Sequence, residues 1–147
     1  MPEMDTRDRA VGLDGQASDT AHVAAPDALG PLHLAQAIFA AFDLKDIGAL
    51  AALMTDDVRL QIGNADVVKG KPEFVEALQV FVGSVASFRH KVINLWSDGD
   101  AVIAELKVHY IRLDGSELTL PCCNVFRLGD GAVADYRVYM DITPVYT

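Results

Sequence analysis

From Phe88 onward the chain is a run of alternating segments punctuated by Asp/Gly turns, and this punctuation constrains the fold more than any other feature. Phe88–Trp96 ends in Ser97-Asp98-Gly99-Asp100, Ala101–Leu113 in Asp114-Gly115, and Leu118–Leu128 in Gly129-Asp130-Gly131, before a last segment at Val133–Ile142. Asp/Gly loops between period-two segments are hairpin signals, since they supply the positive-φ positions a tight reversal needs. This half of the chain therefore predicts an antiparallel meander. In the last segment Arg137, Tyr139 and Asp141 share one face, and Tyr136, Val138 and Met140 share the other.

The first half reads differently. Residues 1–29 carry no sustained apolar period and are expected to form a mobile tail before a single domain over residues 30–147. Pro31 suits a first helical turn, after which Leu34, Ile38, Ala41 and Phe42 recur at helical spacing. Asp46 is placed to cap a short second helix through Leu50, Leu53 and Met54, ending at Thr55-Asp56-Asp57. Val58–Ile62 alternates as a strand. Gly63, Gly70 and Pro72 then lead into a third helix with Phe74, Val75, Leu78, Phe81, Val82 and Val85 on its apolar face. Helices first and a meander afterwards indicate an α+β domain.

Composition narrows the function. A formal charge of −9 repels phosphates, so no nucleic-acid partner is expected. No apolar run reaches the roughly 18 residues of a membrane span, and the N-terminus lacks the pattern of a secretory signal. The only cysteines, Cys122 and Cys123, are adjacent, and strand neighbours point to opposite faces, so a mutual disulfide is not expected. These features predict a soluble, reduced, cytoplasmic protein. There is no metal-ligand spacing and no Gly-rich phosphate loop, so neither metal nor cofactor is implied.

The order of elements, with particular phrases, resembles the NTF2-like superfamily. The phrases are Phe42–Asp57, Lys69-Gly70-Lys71, Asn124–Gly131 and, most sharply, Tyr136–Ile142. More narrowly the chain is similar to the SnoaL-like polyketide cyclases and the limonene-epoxide-hydrolase group over Leu32–Val145. The resemblance implies a cone formed by a curved antiparallel sheet wrapped by three helices. It also implies an apolar small-molecule substrate, and a homodimer formed through the sheet. The epoxide hydrolases' final acid is kept as Asp141. Leu106 and Val108 stand where that group has an Arg and a second Asp, and Leu60 and Ile62 where a Tyr and an Asn hold water.

With Asp141 facing the cavity, the same alignment turns inward Phe88, His90, Val92 and Asn94; Val102, Ala104, Leu106, Val108 and Tyr110; and Leu118, Leu120, Cys122 and Asn124. The expected catalytic pair is Asp141 and His90, with the carboxyl pKa raised by desolvation. The expected substrate-binding residues are Tyr110, Asn124, Tyr139, Leu106, Val108, Leu120 and Cys122, the tyrosines donating to an oxyanion. A register shifted by one residue offers Lys107-His109-Asp141 instead. The implied function is a cyclase or isomerase of polyketide or terpenoid biosynthesis, closing a ring by substrate preorganisation with or without acid–base help. Epoxide opening by Asp141 and a non-catalytic binding or assembly module are the alternatives.

Overall fold

The computed structural model describes Val11–Gly12 and residues 30–147. The tail expected over residues 1–29 lies outside the described residues except at Val11–Gly12. That two-residue strand, β1, pairs antiparallel with Leu95 and Asn94. Helix α1 spans Pro31–Asp43 and buries Leu34, Ile38, Phe39 and Phe42. Proline occupies its first turn, where an absent N–H is harmless. Helix α2 spans Ile47–Ala52, and its Asp46 cap accepts from the Ala49 N–H at 3.0 Å. The second helix is shorter than its apolar spacing predicts, because β2 (Met54–Ile62) already begins at Met54. After β3 (Val68–Lys69), helix α3 runs Lys71–Gly83 and buries Phe74, Leu78 and Val82.

The meander follows as β4 (Ser87–Asp98), β5 (Ala101–Ile111), β6 (Glu117–Gly129) and β7 (Ala132–Tyr139). Its turns carry the positive-φ positions anticipated, at Gly99, Gly115, Asp130 and Gly131. The seven strands form one sheet in the order β1-β4-β5-β6-β7-β2-β3. All pairings are antiparallel except β2 with β7, which makes the sheet mixed. No hairpin joins those two strands, so nothing local dictates their relative direction. Helix α1 packs on β4 and β5, and α3 on β2, leaving the core between helices and sheet.

Two registers decide which side chains enter that core. On β5 the alternation is clean: Val102, Ala104, Leu106, Val108 and Tyr110 are buried while Glu105 and Lys107 are exposed. His109 turns outward, donating from Nε2 to Glu117 Oε1 at 2.8 Å and sharing a hydrogen bond between Nδ1 and Thr119 Oγ1 at 2.9 Å, so the rival Lys107-His109 set does not face the interior. On β4 a bulge between Val92 and Asn94 inserts one residue and reverses the phase beyond it. Leu95 is therefore buried, and Asn94, expected inside, bonds Glu105 on the outer face at 3.2 Å.

Candidate functional site

On β7 the inner phase belongs to Tyr136, Val138 and Met140, the opposite of the expected Tyr139 and Asp141. Two competing side-chain sets explain the choice. Tyr136 packs edge-on against Phe126 with ring centroids 4.6 Å apart, and also against Phe42. Arg137 on the other phase forks onto Asp135 at 2.7 and 3.3 Å and donates to Gln61 at 2.6 Å. A charged fork keeps water on its side of the sheet and the aromatic takes the interior. Tyr139 is consequently 61% exposed.

Asp141 lies beyond the end of β7 and is fully exposed. Its Oδ1 accepts from the Thr143 N–H at 3.0 Å, at the start of the short 3-10 turn Thr143–Val145. Hydrogen bonding to Thr143, through its side chain and its N–H, holds this carboxyl below the ordinary carboxylate range. The desolvated, raised acid expected at this position is thus corrected on both geometry and charge, and with it the pairing of Asp141 to His90.

His90 is paired instead to Asp43, the last residue of α1. Asp43 Oδ1 accepts from His90 Nδ1 at 2.8 Å and from the His90 backbone N–H at 3.0 Å. The imidazole side chain is 9% exposed, stacked on Phe39 at 5.2 Å and flanked by Phe42 and Phe88. A carboxylate only accepts, so the proton of the neutral ring resides on Nδ1 and Nε2 presents a lone pair. The side-chain hydrogen bond of His90 runs through Nδ1, and His90 lines the interior cavity.

That cavity has a volume of about 30 Å³. Its apolar walls include Phe42, Leu60, Ile62, Phe81, Val108 and Val138. Its polar groups are His90, Tyr110, Cys122, Asn124 and Tyr136. Asn124 is 1% exposed and fully engaged: it accepts from Cys122 Sγ at 3.2 Å and donates to the Tyr136 hydroxyl at 3.3 Å. In that bond the Tyr136 hydroxyl is the acceptor. The Tyr110 hydroxyl donates to Met140 Sδ at 3.7 Å, a weak bond to a poor acceptor. Burial pushes both phenols well above the ordinary tyrosine value, so they stay neutral donors, and it pushes the Cys122 thiol up to about 12.

Of the remaining expected residues, Val108 lines the cavity, while Leu106 lines an outer groove together with Tyr139 and Asp141. Leu120 packs on the core and is not among the residues lining the cavity. Asp43 was missed. Its one sequence signal is an acid in the last turn of a helix with no basic residue there, opposed to the macrodipole and so suggestive of a tertiary partner. Among the described residues no cluster of three or more His, Cys, Asp or Glu could hold a metal ion, and no helix is long and apolar enough to cross a membrane.

Among the described residues three α-helices packed against a mixed sheet, around a small, mostly apolar cavity, make an NTF2-like fold. The model for the SnoaL-like domain matches residues 35–136, and the chain belongs to that family. It is similar in structure to an LEH-like epoxide hydrolase of M. tuberculosis, with 23% identity, a TM-score of 0.66, and coverage of 77% of this chain and 84% of the other. It is likewise similar to a Xanthomonas campestris protein provisionally assigned as a polyketide cyclase, with 22% identity, a TM-score of 0.71 and coverage of 77% and 91%. A third similar structure is TerC crystallised with polyporic acid, with 19% identity, a TM-score of 0.70 and coverage of 83% and 96%. No curated protein matches the chain by sequence. At these identities the likeness shows the fold.

Proposed function

We propose that this protein is a small-molecule isomerase or cyclase that moves a proton on an apolar, enolisable carbonyl substrate, with His90 as the proton-transfer group. The observation that carries this is the His90 ring, tethered through Nδ1 to Asp43 and lining the same cavity as two neutral phenols. His90 Nε2 takes a proton from the carbon beside the carbonyl, and Tyr110 and Tyr136 donate to the developing enolate oxygen. The proton then returns to another carbon, or the enolate carbon attacks a second carbonyl carbon of the same molecule: the new C–C bond forms as that C=O π bond opens, and the alkoxide takes the proton back from the His90 imidazolium. Asp43 is a positioning residue: it fixes the tautomer and stabilises the imidazolium that forms.

Deuterium uptake from heavy water into a panel of polycyclic and 1,3-dicarbonyl compounds tests the reading. Exchange is expected with the native protein and a loss of about 100-fold or more in His90→Gln. Equal exchange by the variant would sink it. A non-catalytic binder is the second reading, favoured by the mostly apolar lining of the cavity, and it predicts bound ligand without exchange.

The homodimer is also a proposal. Trp96, Ile103 and Val125 are half-buried and pair in one row across the outer face of β4, β5 and β6. Sedimentation of Ile103→Glu as a monomer, against a dimeric native protein, is the expected outcome.

A further inference from the structure

Two residues, Cys122 and Met140, line both the inner cavity and a larger outer groove, and so stand between them. The groove has a volume of about 440 Å³ and is lined by Ile93, Leu106, Pro121 and Tyr139, with Glu105, Lys107 and Asp141 among its charged groups. It exists because β6 outruns β7. The last pairing between them is Cys123 with Tyr139, so Glu117–Cys122 has no partner on that side. Pro121 lies on this free edge, the part of a sheet where a missing donor is tolerated.

The two halves of the partition differ in mobility. Cys122 belongs to β6 and bonds Asn124, which fixes it. Met140 follows the last residue of β7, is only half-buried, and carries three side-chain torsions with no branch. Its backbone is confined: the Gly63 N–H donates to Val138 O at 2.8 Å, and a Cβ on Gly63 would stand 3.2 Å from the Met140 carbonyl. Gly63 adopts φ +56, where side-chain-bearing residues are strained. Movement at this point is therefore left to the Met140 side chain. Its thioether also occupies the position toward which the Tyr110 hydroxyl donates, and a carbonyl oxygen would accept there far better than sulfur.

We infer that the ligand site is the cavity and the groove joined by displacement of Met140. Its ligand is an elongated apolar molecule whose carbonyl end reaches Tyr110 and His90 while its tail lies along the free edge of β6. The cavity alone, at about 30 Å³, falls far below the roughly 300–1,000 Å³ of small-molecule sites, and the volume a ligand needs is supplied by the groove, at about 440 Å³. The carbonyl end rests on the proton-transfer reading above; the joining of the two spaces does not.

Fluorescence titration of the full chain with N-phenyl-naphthylamine, a neutral elongated apolar probe, tests the joining. Met140→Ala is expected to bind about tenfold more tightly than the native protein, and Met140→Trp about tenfold more weakly. In a Cys123→Ser background, alkylation of Cys122 should be faster in Met140→Ala and slower in Met140→Trp. Val80→Ala, exposed on α3, should match the native protein in both assays. Circular dichroism establishes that each variant is folded, and if Met140→Ala is not, Met140→Trp carries the test alone. Folded Met140 variants with native affinity and native Cys122 reactivity overturn the inference whatever His90 does. A His90→Gln protein that still exchanges deuterium overturns the proton-transfer reading and leaves the Met140 result standing.

Discussion

Asp43 and His90 stand 47 residues apart in sequence and meet through two hydrogen bonds to one carboxylate oxygen. Removing that acceptor orphans a ring N–H and a backbone N–H in a partly buried setting. Asp43→Ala is accordingly expected to lower stability by about 1–3 kcal/mol, measured by urea unfolding. Asp43→Asn keeps the shape but loses the obligate acceptor, because an amide can present either its oxygen or its NH₂ to the ring. Nitrogen-15 shifts of the imidazole should therefore report Nδ1–H in the native protein and a mixture of tautomers in the variant. Deuterium exchange should fall in parallel, whereas a merely structural Asp43 would leave the tautomer unchanged. At this scale the sequence disclosed the residue types: His90 stood out as a polar group on an inward face. Its partner did not, because a carboxylate at the end of α1 carries no local mark of what it will face.

Elements were the most legible level. Pro31, Asp46 and the Asp/Gly turns act through local backbone geometry, and each performs its expected role. Asp46→Ala should cost about 1 kcal/mol through loss of the cap on α2, again by urea unfolding. The end of that helix was misplaced because Leu50, Leu53 and Met54 keep helical spacing across its boundary with β2, so periodicity alone could not mark the change. A different element depends on one side chain from afar. Arg112 donates from Nε to Val145 O at 3.1 Å and from Nη2 to Pro144 O at 2.6 Å, fastening the turn that follows Met140 and Asp141. Arg112→Ala should loosen residues 140–147 selectively, seen as faster amide hydrogen exchange there and little change in β4–β6.

For the whole molecule the buried acids set the response to pH. Tyr110, Tyr136 and Cys122 have folded-state values raised above those of the unfolded chain, chiefly by burial. The unfolded state therefore loses protons first as pH rises, and stability declines from about pH 9, the ordinary thiol value, upward. Urea midpoints should fall between pH 8 and 10.5, and Cys122→Ala should remove part of that slope. On the acid side Asp114 and Asp141 are lowered, by hydrogen bonds from Ser116 and Thr143 respectively. Their contribution is present above the unfolded carboxylate value and is lost as pH drops through the folded one. Both groups are fully exposed, so this limb should be shallow.

The sequence by itself determined the α+β class, the meander and its turns, the helix starts, and the apolar character of the interior. All of these follow from interactions short in sequence or from a period that burial obeys. Only the tertiary structure decided which face of β7 is inner, because an alternating strand reads equally well in either phase until its neighbours arrive. There the Arg137–Asp135 fork and the Tyr136–Phe126 contact chose, placing Met140 at the cavity wall and Asp141 outside. The tertiary structure likewise chose Asp43 for His90, since that pairing depends on α1 crossing β4, a long-range docking that no local pattern encodes.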